Sequence, residues 1–202
     1  MDLNDSGDVA FPSVSFQLPV WIRDWIPSNE LVCNTPEERM DFVIGLATEN
    51  IRRQTGGPFG AAVFERESGR LLAPGVNVVV PSHCSMTHAE VVAVSVAQQV
   101  LQHHDLGSAG TRDYELVTSA EPCAMCLGAV TWSGVKSVIC GARDVDVREI
   151  GFDEGIKPPN WAGELRTRGI EVTIDVNRNA AVALLKEYSE MDGEVYNGRK
   201  GN

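Results

Sequence analysis

The spacing of apolar positions changes several times along the chain, and each change marks an element. From Thr35, the apolar residues Met40, Val43, Ile44, Ala47 and Ile51 recur at helical intervals and predict one buried stripe. Thr35 is a candidate N-cap, Pro36 suits the first helical position, and Glu38 completes a capping box. Gly56-Gly57 ends that helix. The pattern then predicts a strand over 59–65, a hairpin turn at Glu67-Ser68-Gly69-Arg70, and a return strand over 71–79 kinked at Pro74-Gly75. Residues 81–86 read as a loop. Residues 88–102 are rich in Val and Ala and predict a buried helix. A short buried strand over 114–119 follows, then a helix to about Trp132 and a strand over 136–141. Residues 144–161 carry no period and read as a long connection, a length that in compact domains is often functional. A short helix at 164–168, a last strand over 170–176 and a final helix capped by Asn177 and running to about Met191 complete the order. This alternation predicts an α/β domain of three α/β/α layers around a mixed five-stranded sheet.

Residues 1–34 follow a different rule. Pro12, Pro19 and Pro27 exclude a long helix. Phe11, Phe16, Trp21, Ile22, Trp25 and Ile26 are more apolar anchors than a disordered tail carries. The expected organisation is an N-terminal extension over 1–34 packed on the domain or on a partner, a domain over 35–191, and a tail over 192–202 able to cover a site.

Composition narrows the classes. The chain has 202 residues, of which 43% are hydrophobic, and a mean hydropathy of −0.10, values of a soluble globular domain. No apolar run reaches the roughly 18 residues of a membrane span, so no membrane partner is expected. The acidic start Met1-Asp2-Leu3-Asn4-Asp5 is unlike a signal peptide, which makes a cytoplasmic location the default. A net charge of −11 argues against a nucleic-acid partner, since such binding draws on Lys and Arg at phosphates. Arg52-Arg53 reads as a helix end. The five cysteines are an odd number and favour reduced thiols and metal binding over a disulfide framework.

The chemistry centres on Glu121-Pro122-Cys123-Ala124-Met125-Cys126. Two thiols at i and i+3, after a proline, fall on one face of a helix start, where the helix dipole favours thiolate. Thr87-His88-Ala89-Glu90 offers the complement. His88, Cys123 and Cys126 supply three ligands for Zn²⁺, and a catalytic site keeps its fourth position for water. Glu90, two residues past His88, can move the proton of that water. His-x-Glu followed by Pro-Cys-x-x-Cys is the pattern of the zinc deaminases. The alternative is a structural zinc closed by His83, Cys84 or Cys140. Cys33, Cys84 and Cys140 read as structural, and His103 and His104 as a helix end.

On these motifs the chain resembles the cytidine-deaminase superfamily over about 36–190. Gly57-Pro58-Phe59-Gly60-Ala61, Gly75-Val76-Asn77, the cysteine segment to Ala129, Trp132 and Gly151-Phe152-Asp153-Glu154 are similar to the bacterial guanine deaminases of that fold. The resemblance implies hydrolysis of guanine to xanthine and ammonia. It implies zinc on His88, Cys123 and Cys126, with Glu90 as proton shuttle and Glu154 as a second catalytic carboxylate. It also implies that Asn77 bonds the purine edge, that Phe59 and Trp132 wall the pocket, and that Ala89, Asp153 and the lid residue Tyr196 contact substrate. The family typically has Asp where this chain has Glu154. A homodimer, in one form with exchanged C-terminal segments, is implied as well. Each residue keeps a plainer reading: Phe59 and Trp132 as core, Asn77 as a turn former, Asp153 and Glu154 as a solvated loop. A tRNA adenosine deaminase, a deaminase of cytosine or an aminated triazine, and a non-catalytic zinc scaffold are the competing functions.

Overall fold

The computed structural model describes residues 14–27 and 31–198. Phe11 and Pro12 of the extension, and the last four residues of the tail, lie outside the described residues. The extension contributes helix α1 (Trp21–Trp25). Trp21 Nε1 donates to Thr55 Oγ1 at 3.0 Å, Trp25 stacks at 5.4 Å on Phe42, and Ile22 is buried with Leu46, Val76 and Val92.

Helix α2 (Pro36–Arg52) starts on the expected capping box: Thr35 Oγ1 accepts from Glu38 N at 3.1 Å, and the Glu38 carboxylate accepts from Thr35 N at 3.3 Å. Strand β1 (Gly60–Glu65) pairs antiparallel with β2 (Leu71–Val76) on one side and with β3 (Tyr114–Ala120) on the other. Strands β4 (Ser137–Ala142) and β5 (Glu171–Thr173) continue the sheet in parallel. The five-stranded order is β2-β1-β3-β4-β5. β3 and β4 are buried at every position, as central strands covered on both faces are.

Strict alternation builds the three layers. Ala61, Val63, Leu116, Val138 and Cys140 face one side, packing with α4 (Ala89–Leu101), α5 (Ala124–Ser133) and α7 (Trp161–Thr167). Ala62, Phe64, Val117 and Ile139 face the other, against Met40 and Val43 of α2. Helix α8 (Arg178–Glu190) joins α2 on that side through Ala181, Leu184 and Leu185. Gly75 lets α4 lie on β2, because a Cβ there would stand 2.3 Å from the Ala89 carbonyl and 2.6 Å from Ala93 N.

Four boundaries differ from the sequence reading. The return strand stops at Val76, and Val79–Ser82 forms a helical turn, α3, with the Asn77 carboxamide oxygen accepting the Val79 amide at 3.3 Å. The long connection after β4 contains α6 (Asp144–Glu149), started by Asp146 Oδ2, which accepts from Arg143 N at 2.7 Å. The last strand is only three residues, because Asp175 and Asn177 turn into left-handed backbone at φ 66 and 47. Asn177 does not cap α8 with its side chain; it donates to the Glu37 carbonyl at 3.2 Å and to Asp41 Oδ1 at 2.6 Å.

Candidate active site

Two ligand-bearing residues are both helix N-caps. His88 caps α4 with ψ 154, and Cys123 caps α5 with ψ 173, so each leaves extended backbone just as its helix begins. That geometry points their side chains over the helix starts rather than along them. Cys126, in the first turn of α5, is buried beside them. The candidate ligand atoms of His88, Cys123 and Cys126 lie within 4.8 Å of one another. Cys123 Sγ stands 3.5 Å from His88 Nδ1. Tetrahedral bonds of ~2.1 Å to nitrogen and ~2.3 Å to sulfur would separate these two atoms by about 3.6 Å, so the spacing fits zinc. His83, Cys84 and Cys140 do not join the group among the described residues, which leaves three protein ligands and an open position.

The thiols are poised as ligands. A hydrogen bond from Cys126 and then the neighbouring His88 pull the Cys123 thiol down to about 4. The partner Cys126 is held well above its ordinary value by sharing that hydrogen bond and by burial. Desolvation weighs against charge on His88, but the hydrogen bond to Cys123 and the nearby carboxylates outweigh it and raise its pKa.

A cavity of about 440 Å³ opens directly on the ligands and is lined by His88, Glu90, Cys123, Phe59, Phe152, Glu154 and Tyr196, among others. Four acidic residues line this space, Glu90, Glu121, Asp153 and Glu154, and two of them are buried. Glu90 is 7% and Glu154 6% exposed. Burial raises the pKa of Glu90, and the Cys123 charge adds to the rise. Burial likewise pushes Glu154 up to about 8, with Cys123 acting in the same direction and Lys157 against it. A divalent cation on the ligands would lower both through its own charge.

The loop carrying Glu154 is docked on the cysteine helix: the Glu154 carbonyl accepts from Ala124 N at 2.9 Å. Asp153 lines the same cavity at its rim, its carboxylate 3.4 Å from Arg148 and its backbone amide donating to Asn197 Oδ1 at 2.9 Å. Asn197 Nδ2 returns a bond to the Gly151 carbonyl at 3.0 Å, so the C-terminal segment is pinned to the loop on both sides. That places Tyr196 in the cavity, 5.2 Å from Phe152 and 6.3 Å from His88 between ring centres. Phe59 packs edge-on to Phe152 at 5.1 Å.

Three expected substrate residues sit elsewhere. Trp132 is 85% exposed and lines nothing. It stands two residues past the buried Val130, on the opposite face of α5, and about 14 Å along the axis from Cys123. It is neither pocket wall nor core. Ala89 is fully buried against the sheet with Ala93 and is not among the residues facing the cavity. Asn77 is also fully buried, behind the cavity rather than on it. Its backbone carbonyl accepts from Asn50 Nδ2 at 2.9 Å, while its own amide nitrogen and the Tyr196 hydroxyl are buried without hydrogen bonds. Sequence reasoning gave no role to Phe152, Asn197 or Lys157. Phe152 lay inside a quoted motif; the other two act through tertiary contacts that no local spacing reports.

Comparison with known proteins agrees with this geometry. Residues 34–142 match the model of the cytidine and deoxycytidylate deaminase zinc-binding region. The chain is 40% identical over 111 residues to the guanine deaminase of Bacillus subtilis, covering 55% of this chain and 67% of that one. A crystal structure of guanine deaminase from Nitrosomonas europaea superposes with a TM-score of 0.85 at 50% identity, covering 91% of this chain and all of that one (100%). A single-residue variant solved in complex with 8-azaguanine superposes equally well, with a TM-score of 0.85 at 49% identity over 91% of this chain and 100% of that chain.

The purified protein is expected to hold one zinc per chain by elemental analysis, as three clustered ligands require. His88→Ala and Cys123→Ser should each lose most of it, whereas His83→Asn and Cys84→Ser keep it. Zinc loss in Cys84→Ser would restore the closed structural site.

Proposed function

The chain belongs to the cytidine and deoxycytidylate deaminase zinc-binding family, and from that premise we propose that it hydrolyses guanine to xanthine and ammonia. The carrying observation is the pair of buried carboxylates, Glu90 and Glu154, that share one cavity with the ligands His88 and Cys123. A single carboxylate suffices for the water proton. The second suits a base that presents an N1–H and an exocyclic amine along one edge, because one carboxylate can accept both. Phe59, Phe152 and Tyr196 give the aromatic walls for a flat heterocycle. The guanine deaminase likeness supports the same base.

When bound, zinc supplies Lewis acidity that makes hydroxide available near neutral pH. The chain's own residues then manage protons. Glu90 takes the proton released as water adds to C2 and gives it to N3, which keeps charge from building on the ring. The tetrahedral carbon now bears a hydroxyl and an amine. On collapse the hydroxyl proton passes to a carboxylate, the amine receives one from Glu154 or Glu90, and the C2–N bond breaks to free ammonia. Burial raises the proton affinity of Glu154, which suits it to give a proton to the leaving amine, while its ionised form accepts from the purine edge. Asn77 is proposed to bond the purine through its unpaired amide, which requires Tyr196 to yield locally. Asp153 is proposed to act through Asn197, by holding the tail, rather than by touching the base.

Tyr196 and its neighbours serve as a lid in this reading. The segment folds back through the Tyr188 hydroxyl, which donates to the Glu194 carbonyl at 2.8 Å, and reaches the site of its own chain. Exchange of that segment between two copies is the other route to the same closure. A homodimer is proposed from the surface of α4 and α5. α5 carries no charged residue, the one charge on α4 is the buried Glu90, and Val100 and Trp132 stand 59% and 85% exposed. No helix among the described residues is long and apolar enough to cross a membrane. A cytoplasmic role in purine breakdown fits these features.

Ammonia release assayed across guanine, adenine, cytosine, cytidine, guanosine and aminotriazines should single out guanine, with xanthine as product. Glu90→Ala should lower kcat by at least ~100-fold with zinc retained; near-normal turnover would sink the shuttle assignment, and deamination of adenosine in tRNA alone would replace guanine. Truncation after Met191 removes Tyr196 and should raise KM; unchanged kinetics would deny the lid. Trp132→Glu should convert a dimer to a monomer in light scattering, and a wild-type mass that is already monomeric would refute the dimer.

A further inference from the structure

The chemistry above leaves Lys157 unused, yet its side chain is only 9% exposed, which is rare for lysine. Its ammonium donates to the Pro122 carbonyl at 3.1 Å, one residue before the ligand Cys123. It lies 2.9 Å from Asp144 Oδ1 and 3.8 Å from Glu121 Oε2, and covers the Trp161 ring at 5.6 Å. Lys157 follows Glu154 by three residues on the same loop. The loop therefore grips the cysteine corner at two points, through Lys157 and through the Ala124 amide on the Glu154 carbonyl. Arg148 closes the frame, bonding Asp144 at 2.7 Å and the Gly155 carbonyl at 3.2 Å. Lys157 and Glu121 are the buried part of this frame, while Arg148, which also pairs with Asp153, lies at its exposed rim.

We propose that Lys157 is a positioning residue that fixes the Glu154 carboxylate against the ligand corner by holding the Pro122 carbonyl, Glu121 and Asp144. The loop cannot slide along the cavity without breaking these bonds. A shift of about 1 Å in a catalytic group can cost a hundredfold in rate. An apolar side chain would fill the same space without this directional hold. The inference rests on the role given to Glu154 above.

A double-mutant cycle tests it, with kcat, KM and zinc content measured for wild type, Lys157→Met, Glu154→Gln and the pair. Lys157→Met should lower kcat about 10- to 100-fold on guanine while zinc stays at one per chain. In the Glu154→Gln background the same change should cost less than about twofold, because the group it positions is already disabled. Equal losses in both backgrounds, or loss of zinc from Lys157→Met, overturn the proposal while leaving Glu154 in place. Full activity of Glu154→Gln overturns the role of Glu154 and the proposal with it. Lys157→Met strips the cation between two carboxylates, so the cycle is repeated with Lys157→Met/Glu121→Gln, which keeps the charge balance. The outcomes carry the same meaning for that variant.

Discussion

Everything chemical in this chain depends on two helix N-termini meeting beside one end of the sheet. His88 and Cys123 are far apart in sequence, yet each is the last extended residue before a helix. A side chain at that position projects past the helix end, where unpaired backbone amides create positive potential. Two such ends therefore converge with a metal between them, and thiolates are favoured there. The separation of α4 and α5 is set by what lies below. α4 rests on β1 and β2, held close by the bare backbone of Gly75. α5 follows β3 through the short corner at Glu121-Pro122. Because β1 lies between β2 and β3, the spacing of the strands carries the spacing of the ligands.

The constraint has an electrostatic cost. Cys123, Glu90 and Glu154 share one buried space; Cys123 raises the proton affinity of both carboxylates, and Glu90 raises that of Glu154. Isolated buried charges of one sign are expensive. A divalent cation at the ligands answers most of that charge, and Lys157 lowers the proton affinity of Glu154 from behind the loop. The two carboxylates are then distinguished by their supports. Glu90 belongs to the first turn of α4 and moves only with the helix. Glu154 sits on a loop whose position is adjustable, and its hold comes from separate bonds.

That difference explains what was legible in the sequence. α2 could be read with its start, since Thr35, Pro36 and Glu38 act within one turn. The ligands and Glu90 could be read because their chemistry is bound to short spacings at helix starts. Trp132 could not, because α5 is so uniformly apolar that its pattern does not say which face is covered. Helix α6 was hidden because its start depends on Asp146 capping after a strand end, within a stretch lacking apolar period. Phe152, Asn197 and Lys157 gain their roles from partners 35 to 93 residues away or from loop conformation, and local patterns hold no trace of those partners.

In the proposed reaction, the loop at 151–155 is where specificity is set. Gly151 and Gly155 bracket it in left-handed backbone at φ 98 and 70, and the carbonyl of Glu154 is tied to the amide that opens α5. This docking turns Asp153 toward Arg148 and Asn197 and turns Glu154 into the cavity. The Asp153 backbone amide thereby holds the tail, while the Glu154 side chain is the one proposed to meet substrate. In the proposed reaction the metal corner supplies the hydrolytic power, and the anchored loop with the tail pinned upon it determines which ring edge that power can reach.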